Sequence, residues 1–309
     1  MPKIPVFFRK VLERRTLIFH NAFAAKGKNR FALAKITTLL QQEGITHRVV
    51  ETIADVEANR YKLTKAYEEF NPTEIWVSGG DGTLHLFINS LPENMWHLPV
   101  AVIPSGTGND LIKNYTGKPA FENCLAIALN GSPQPVDVWQ CNNRLFIHGF
   151  GVGFDGRIVE SMMHSPSWFS GFLAYYYHVI RHLFTYREQV FTLTANGNTV
   201  SFPCFMVTVA NSTTFGGGFK ITPKAIITDN LLDVCAIHKV SIIKRGRCLK
   251  MVEKGKHLHL PILNYFTADK VVLKLPQTMP AHIDGELFYD DNFEIAPFAK
   301  KLHIKMPTP

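Results

Sequence analysis

Two glycine loops, each placed directly after a short apolar run, constrain this chain more than any other feature. Ser78-Gly79-Gly80-Asp81-Gly82-Thr83 follows the run 74–77, and Pro104-Ser105-Gly106-Thr107-Gly108-Asn109-Asp110 follows 100–103. The surrounding half alternates two textures: 16–19, 47–50, 74–77 and 100–103 read as strands, whereas 29–43, 55–70 and 84–91 space apolar residues at helical intervals. Such alternation predicts a parallel, doubly wound α/β sheet. The loops then leave the carboxyl ends of neighbouring strands, where open α/β sheets bind ligands, and glycine lets backbone N–H groups approach phosphate oxygens. Thr83 and Thr107 add hydroxyls. Asp81 and Asp110 would repel a bare triphosphate, so they point to a magnesium-bound nucleotide or to a ribose contact. One such loop alone reads as a tight turn; two on consecutive strands read as a nucleotide site.

Beyond residue 135 the texture changes. The runs 136–140, 144–149, 189–195, 199–210, 231–238 and 270–275 are β-rich and separated by turn residues such as Asn142-Asn143 and Asn196-Gly197-Asn198. They predict an antiparallel sheet or sandwich, interrupted by an aromatic helix at 168–184 and a basic helix at 242–254. The expected organisation is an α/β domain over 1–134 and an antiparallel β-sandwich domain over 135–295, with 296–309 free to rejoin the first. A chain of 309 residues with 46% hydrophobic and 19% charged residues can fill two such cores, which excludes disorder, collagen and a disulfide scaffold. Cys124, Cys141, Cys204, Cys235 and Cys248 form no C-x-x-C pair, so a reducing compartment is expected and a zinc site is not. The apolar patch 4–8 is too short for a secretory leader, and 161–180, although free of Asp, Glu, Lys and Arg, is broken by four serines, His164, His178, Pro166 and Gly171. The expectation is a cytoplasmic protein.

The net charge of +8 is concentrated. Between 239 and 256 stand Lys239, Lys244, Arg245, Arg247, Lys250, Lys254 and Lys256 against Glu253 alone; the first 35 residues carry nine cations against Glu13. Such clusters suit an anionic partner: phosphate, nucleic acid or an anionic membrane surface.

With these residues in view the chain resembles the catalytic domain shared by diacylglycerol kinases, sphingosine and ceramide kinases and the soluble bacterial lipid kinases. The resemblance rests on an ordered series. Gly79 to Thr83 and Pro104 to Asp110 are followed by Val136-Asp137-Val138, the stretch 146–155, Gly216-Gly217-Gly218-Phe219 with Pro223-Lys224-Ala225 and Asp229, and Asp284-Gly285-Glu286. It implies a two-domain, ATP- and magnesium-dependent lipid kinase, with nucleotide held between an NAD kinase/diacylglycerol kinase-like α/β domain and the β-sandwich. Carried over by motif, Gly79, Gly80, Asp81, Gly82, Thr83 and His85 contact nucleotide, with Gly106, Thr107, Asn109 and Asp110 from the second loop and Thr52 from a looser match. Glu286 matches the catalytic base with Asp284 beside it, and Ile226, Asp229 and Leu231 match a structural magnesium site made of one carboxylate and two carbonyls. It also implies a lipid substrate and peripheral association with the inner membrane face, with no nucleic acid, and leaves a homodimer open. Phosphoryl transfer to an alcohol does need phosphate donors, magnesium and a carboxylate base. Taken alone, Asp284-Gly285-Glu286 is an exposed turn and Asp229-Asn230 a hairpin turn.

Departures are visible too. Where the family continues with Asn and Glu after the first loop, this chain has His85 and Leu86, and Asn230 stands for a family glycine. Gly151-Val152-Gly153-Phe154-Asp155-Gly156 fits a dinucleotide fingerprint, but 173–178 lacks the acid that motif needs about 20 residues on, so these glycines read as a turn leading into the second domain. Two other readings compete: an NAD kinase, which shares the first loop, and a catalytically silent nucleotide-binding regulator. The second loop and Asp284-Gly285-Glu286 favour the lipid kinase.

Overall fold

A computed structural model describes residues 13–27, 29–105, 108–117, 120–166, 172–215 and 218–308. Gly106, Thr107, Gly216, Gly217, Trp168 and Phe169 lie outside the described residues. The first part runs β1 (Arg15–His20), α1 (Asn29–Gln42), β2 (Thr46–Glu51), α2 (Val56–Phe70), β3 (Glu74–Gly79), α3 (Asp81–Ser90), β4 (Val100–Pro104), α4 (Asp110–Thr116), α5 (Phe121–Asn130) and β5 (Ser132–Val136). Strands β1 to β4 pair in parallel in the order β2-β1-β3-β4. Side chains alternate across them as the strand period demands: Leu17, Phe19, Ile75 and Val77 enter one core with α2 and α3, while Ile18 and Trp76 enter another with α1. Asp55 caps α2 by accepting the Ala58 N–H.

The remainder holds β6 (Trp139–Cys141), β7 (Arg144–Phe146), β8 (Gly149–Gly153), α6 (Phe154–Met163), α7 (Phe172–Thr185), β9 (Gln189–Ala195), β10 (Asn198–Ala210), β11 (Leu232–His238), α8 (Ile242–Glu253), β12 (Leu263–Ala268), β13 (Val271–Ile283), β14 (Glu286–Pro297) and β15 (Leu302–Met306). The nine strands β6 to β14 form one antiparallel sheet. Strands β10 and β13 each pair with β9 along one half and β8 along the other, so the ladder curls round an apolar interior. Fully buried Trp139, Phe150, Phe191 and Phe293 fill it, each worth about 1.5–3 kcal/mol of burial. Helices α6, α7 and α8 cover the outer face.

The expected α/β sheet with an antiparallel β-rich part is what the chain forms; α4, α5, α6, β12, β14 and β15 add to the expected elements, and three of the expected segments differ. The run 136–140 is not one strand: 132–136 stays at the edge of the first sheet, antiparallel to the strand beside it, and 139–141 begins the second sheet. The glycine run expected as a turn is instead the buried strand β8. It is glycine-rich because a Cβ at Gly151 would stand 2.1 Å from Asp155 Oδ2 and 2.5 Å from His282 Nε2. Strand β13 extends well past the expected 270–275, absorbing Pro276 where its register with β14 shifts.

β15 returns the chain to the first sheet between β4 and β5, and a buried charge cluster fixes it there. Lys305 Nζ lies 2.6 Å from Glu74 Oε2, Arg14 Nη2 2.9 Å from Glu74 Oε1, and the Thr16 hydroxyl donates to Oε1. Burial alone would raise the Glu74 carboxyl; Lys305, Thr16 and Arg14 outweigh it and hold it below its ordinary range. Replacing Glu74 by Ala leaves Lys305 buried without its counter-charge, so Glu74→Ala is expected to lose about 3 kcal/mol in denaturant unfolding at neutral pH. A lowered carboxyl contributes above its unfolded pKa and is lost as pH falls through the folded one, so the gap between wild type and variant should shrink in acid. A gap that stays constant would mean that the ionised carboxylate does not hold β15.

Candidate active site

The carboxyl ends of β1 to β4 share one edge of the parallel sheet, and the two glycine loops leave it there. The first loop does not run on as loop. It passes at Gly80 straight into α3, so Asp81, Gly82 and Thr83 form the helix's first turn, where N–H groups lack helical partners and the dipole favours anions. Gly79 is required by Thr83, since a Cβ there would sit 2.2 Å from Thr83 Oγ1. That hydroxyl accepts from Asn21 Nδ2 at 3.0 Å, and buried Asn29 ties the Asn21 and Ser78 carbonyls together beneath it. Thr52 closes β2 on the same edge, buried, with its N–H given to the His20 carbonyl.

Asp81 joins the two loops. Its Oδ1 accepts the Asp110 N–H at 2.8 Å, and its Oδ2 faces Gly108, where a Cβ would come within 2.5 Å. Asn109, in the left-handed conformation, turns the second loop into α4, and Asp110 receives Lys113 Nζ at 2.6 Å. Leu86, the second departure from the family pattern, packs against the first core.

The antiparallel sheet delivers the remaining acids to this edge. Asp284 (φ 53°) and Gly285 (φ 91°) form a two-residue reversal between β13 and β14, a conformation that suits Asp and Gly. The Asp284 carboxylate is fully buried and accepts three backbone N–H groups, from Ile147 at 3.1 Å, His148 at 2.9 Å and Gly149 at 3.0 Å. His85 Nδ1 on α3 lies 3.2 Å from its Oδ2. His85 is thus engaged with Asp284, and Asp284 is a fully occupied clamp between the two sheets. Asn89, one turn further along α3, pairs with both the N–H and the carbonyl of Leu145 and reinforces the junction.

The reversal carries Glu286 forward as an exposed residue. A Cβ on Gly82 would stand 3.2 Å from Glu286 Oε1, so this carboxylate lies against the first turn of α3. Residues 204 positions apart in sequence meet across the cleft between the sheets.

His148 was not recognisable from the sequence, because its partners come from distant elements. Its Nε2 lies 3.3 Å from Asp81 Oδ1, oriented for charge attraction rather than for a hydrogen bond, and Ser212 Oγ lies 3.3 Å from its Nδ1. Burial alone would lower its pKa, but the Asp81 and Asp284 carboxylates outweigh this and push it up to about 9. Burial likewise works to raise Asp81 and Asp284. For Asp81, His148 and the Asp110 N–H prevail and hold it low; for Asp284, His85, His148 and the Gly149 N–H do the same.

Of the candidate metal residues, Asp229 accepts the Leu231 N–H at 3.1 Å, Asn230 adopts φ 60°, and Ile226 is exposed. Burial, with Asp229 adding to it, pushes the neighbouring Asp233 carboxyl up against the opposing effects of the Tyr265 hydroxyl and Lys224. A carboxyl disfavoured by burial and by a second acid beside it would gain from a cation. Among the described residues no three His, Cys, Asp or Glu side chains converge as a metal cluster, so a cation here relies on backbone carbonyls. The candidate metal residues precede β11, where the Asn230 N–H donates to Asp137 Oδ2 at 2.7 Å.

A parallel sheet presenting glycine loops beneath an acid-bearing hairpin of an antiparallel sheet defines a two-domain kinase architecture. The diacylglycerol kinase catalytic domain model matches residues 15–141, and the YegS C-terminal NAD kinase beta sandwich-like domain model matches 150–301. The chain belongs to the diacylglycerol kinase catalytic-domain family, a family of lipid kinases. It is 27% identical over 302 residues to the diacylglycerol kinase of Bacillus subtilis (strain 168), covering 95% of this chain and 97% of that one. It is 24% identical over 305 residues to the diacylglycerol kinase of Staphylococcus carnosus (strain TM300), covering 96% of each. A crystal structure of a diacylglycerol kinase from Bacillus anthracis str. Sterne has the same fold, with a TM-score of 0.71 at 19% identity over 95% of this chain and 97% of that one. No helix among the described residues is long and apolar enough to cross a membrane.

A group whose folded pKa is raised contributes stability that is complete below its unfolded value and vanishes as pH rises through the folded one. For His148 that window runs from 6.5 to about 9. The ligand-free wild type is therefore expected to lose stability steadily across this range in a pH series of denaturant titrations, and His148→Gln to lack that decline. Parallel curves for the two proteins would remove the ion pair from the account.

Proposed function

We propose that this chain is an ATP- and magnesium-dependent lipid kinase that transfers the γ-phosphoryl group to a hydroxyl of a diacylglycerol-like or sphingoid acceptor. The observation that carries it is the placement of Glu286 against Gly82: a carboxylate from one sheet held over the phosphate-binding helix start of the other. Such a carboxylate can orient an acceptor hydroxyl and take its proton as the oxygen attacks the γ-phosphorus and ADP departs. Glu286 Oε1 is the proton acceptor. Asp284, buried and saturated with hydrogen bonds, is a positioning residue: it holds the turn that aims Glu286. The first turn of α3 binds phosphate oxygens, with Thr52, Asn109 and Asp110 on the same edge contacting the nucleotide.

Asp81 fits magnesium, since its Oδ2 faces a space that any side chain at position 108 would fill. Bound magnesium neutralises charge on the transferring phosphate. Asp229 with the Ile226 and Leu231 carbonyls fits a structural magnesium ion. The names of the relatives, the ordered motifs and the acid across the cleft all support this reading over an NAD kinase or a silent regulator. The cationic surface supports peripheral work at the inner face of an anionic membrane.

Glu286→Gln keeps shape and removes the base, so turnover with a lipid acceptor should fall about 10²–10⁴-fold while ATP affinity by calorimetry stays near wild type. Lost ATP affinity with an intact maximal rate would make Glu286 a nucleotide ligand and sink the assignment. For the second metal, magnesium should raise the unfolding temperature of wild type more than that of Asp229→Ala; equal protection of both counts against this site.

A further inference from the structure

Helices α7 and α8 lie side by side and antiparallel. Arg245, near the start of α8, donates to the carbonyls of Leu183 and Tyr186 at the end of α7, and Tyr176 near the start of α7 reaches Glu253 at the end of α8. The inward side of α7 buries Ala174, His178, Val179 and Leu183. Its outward side is largely apolar, flanked by exposed Arg181 and Thr185. Leu173 is 79% exposed, Ile180 51% and Phe184 63%, at spacings of seven and four that keep them on one stripe, with half-exposed Tyr177 between them. A helix on a water-facing surface carries polar residues on its outer side, so this stripe is out of place in water.

Its neighbour supplies the charge. Ile243, 94% exposed, stands at the start of α8, followed on the exposed surface by Lys244, Arg247 and Lys250. α7 contains no acid and α8 only Glu253. An apolar stripe bordered by a row of cations is the pattern of a helix lying in the boundary layer of an anionic bilayer. A protein groove would call for the stripe but not for the row of cations.

The inner side of α7 is held to the antiparallel part: Tyr175 packs against Phe219, with 5.7 Å between ring centroids.

We infer that the outer stripe of α7 and the exposed cations of α8 form the surface by which this chain docks on an anionic lipid bilayer, α7 lying parallel to the membrane plane. The inference deepens the lipid-kinase reading by naming the face presented to the substrate-bearing membrane, and the docking itself is measurable without catalysis.

The test is vesicle flotation with phosphatidylcholine alone and with equal parts phosphatidylcholine and phosphatidylglycerol. Wild type is compared with an apolar variant, Leu173→Gln/Ile180→Gln/Phe184→Gln, and a charge variant, Lys244→Gln/Arg247→Gln/Lys250→Gln. Wild type should favour the anionic vesicles, and each variant should partition onto them about tenfold less or worse. All six positions are exposed, so thermal unfolding should be unchanged. Turnover of a soluble short-chain diacylglycerol should also be unchanged, whereas turnover of vesicle-borne diacylglycerol falls. Wild-type partition in both variants overturns the docking face. So does a wild-type dimer that the apolar variant dissociates, because the stripe then belongs to a second copy of the chain. A wild type that phosphorylates neither acceptor but floats in a face-dependent way would sink the kinase reading and leave the docking face standing.

Discussion

A single buried anion organises the cleft. The Asp284 carboxylate has no access to water, so its charge persists only because three N–H groups of one short segment and the His85 ring surround it. Hydrogen bonds to a charged group are worth about 1.5–3 kcal/mol each, and leaving such a group unsatisfied costs at least as much. The consequence is geometric. The turn between β13 and β14, the segment entering β8 and the middle of α3 cannot shift independently. Because Asp284 and Gly285 reverse the chain within two residues, Glu286 is aimed from that fixed point onto the first turn of α3. Glu286 is exposed and the group that places it is buried, a division that suits the proposed base.

Two carboxylates close together in a dry cleft need a cation, and His148 supplies it. It sits on the segment whose N–H groups bind Asp284, and its ring faces Asp81. The same residue thereby couples the clamp to the acid that joins the glycine loops. The effect on ionisation is mutual: the carboxylates raise the histidine, and the histidine holds both carboxylates low. Asp81 is thus held toward its ionised form by its protein neighbours alone, which suits the proposed role toward magnesium.

How much of this was legible in the sequence depends on whether a feature is local. The alternation of strands and helices, the two loops and the acids at 284 and 286 are local patterns, and the structure places both ends of the argument at one cleft. Strands β5 and β13 were missed or cut short because Pro133, Pro135, Pro276 and Pro280 read as loop; β5 tolerates them at the sheet edge and β13 takes up Pro276 where its register slips. The strand β8 read as a turn because its glycines make room for side chains arriving from α6 and β13, which no window of sequence displays. His85 stands at a position the family motif gives to nucleotide, and its ring also meets Asp284, 199 positions away, a contact that no window of sequence displays. For the aromatic helix, composition does not say which side has a neighbour, and only the packing of Ala174, Val179 and Leu183 settles which side is left outside.

The antiparallel sheet is tied to the parallel one at several places, two of which bear on the position of Glu286. At the chain crossings, β5 leads out to β6 and β14 leads back to β15; there the Phe298 N–H bonds the Val138 carbonyl, and Lys301 Nζ lies 2.7 Å from the buried Asp137. At the cleft, Asp284 and His85 form the second tie. One attachment alone would leave the β part free to swing about its crossings, and a small rotation there would carry Glu286 away from Gly82, since displacement grows with distance from the pivot. The second attachment removes that freedom at the position where it matters. Glu74 and Lys305 extend the same logic inward, fixing β15 within the first sheet so that the crossing is anchored to a rigid body. Buried charge is a poor source of net stability, because desolvation offsets most of what pairing returns, but breaking such a pair is expensive, and that asymmetry favours one arrangement over its near alternatives. A cleft in which Glu286 meets the first turn of α3 from another sheet has use for that kind of rigidity, and in this chain it resides in Glu74, Asp137 and Asp284, three acids that the solvent barely reaches.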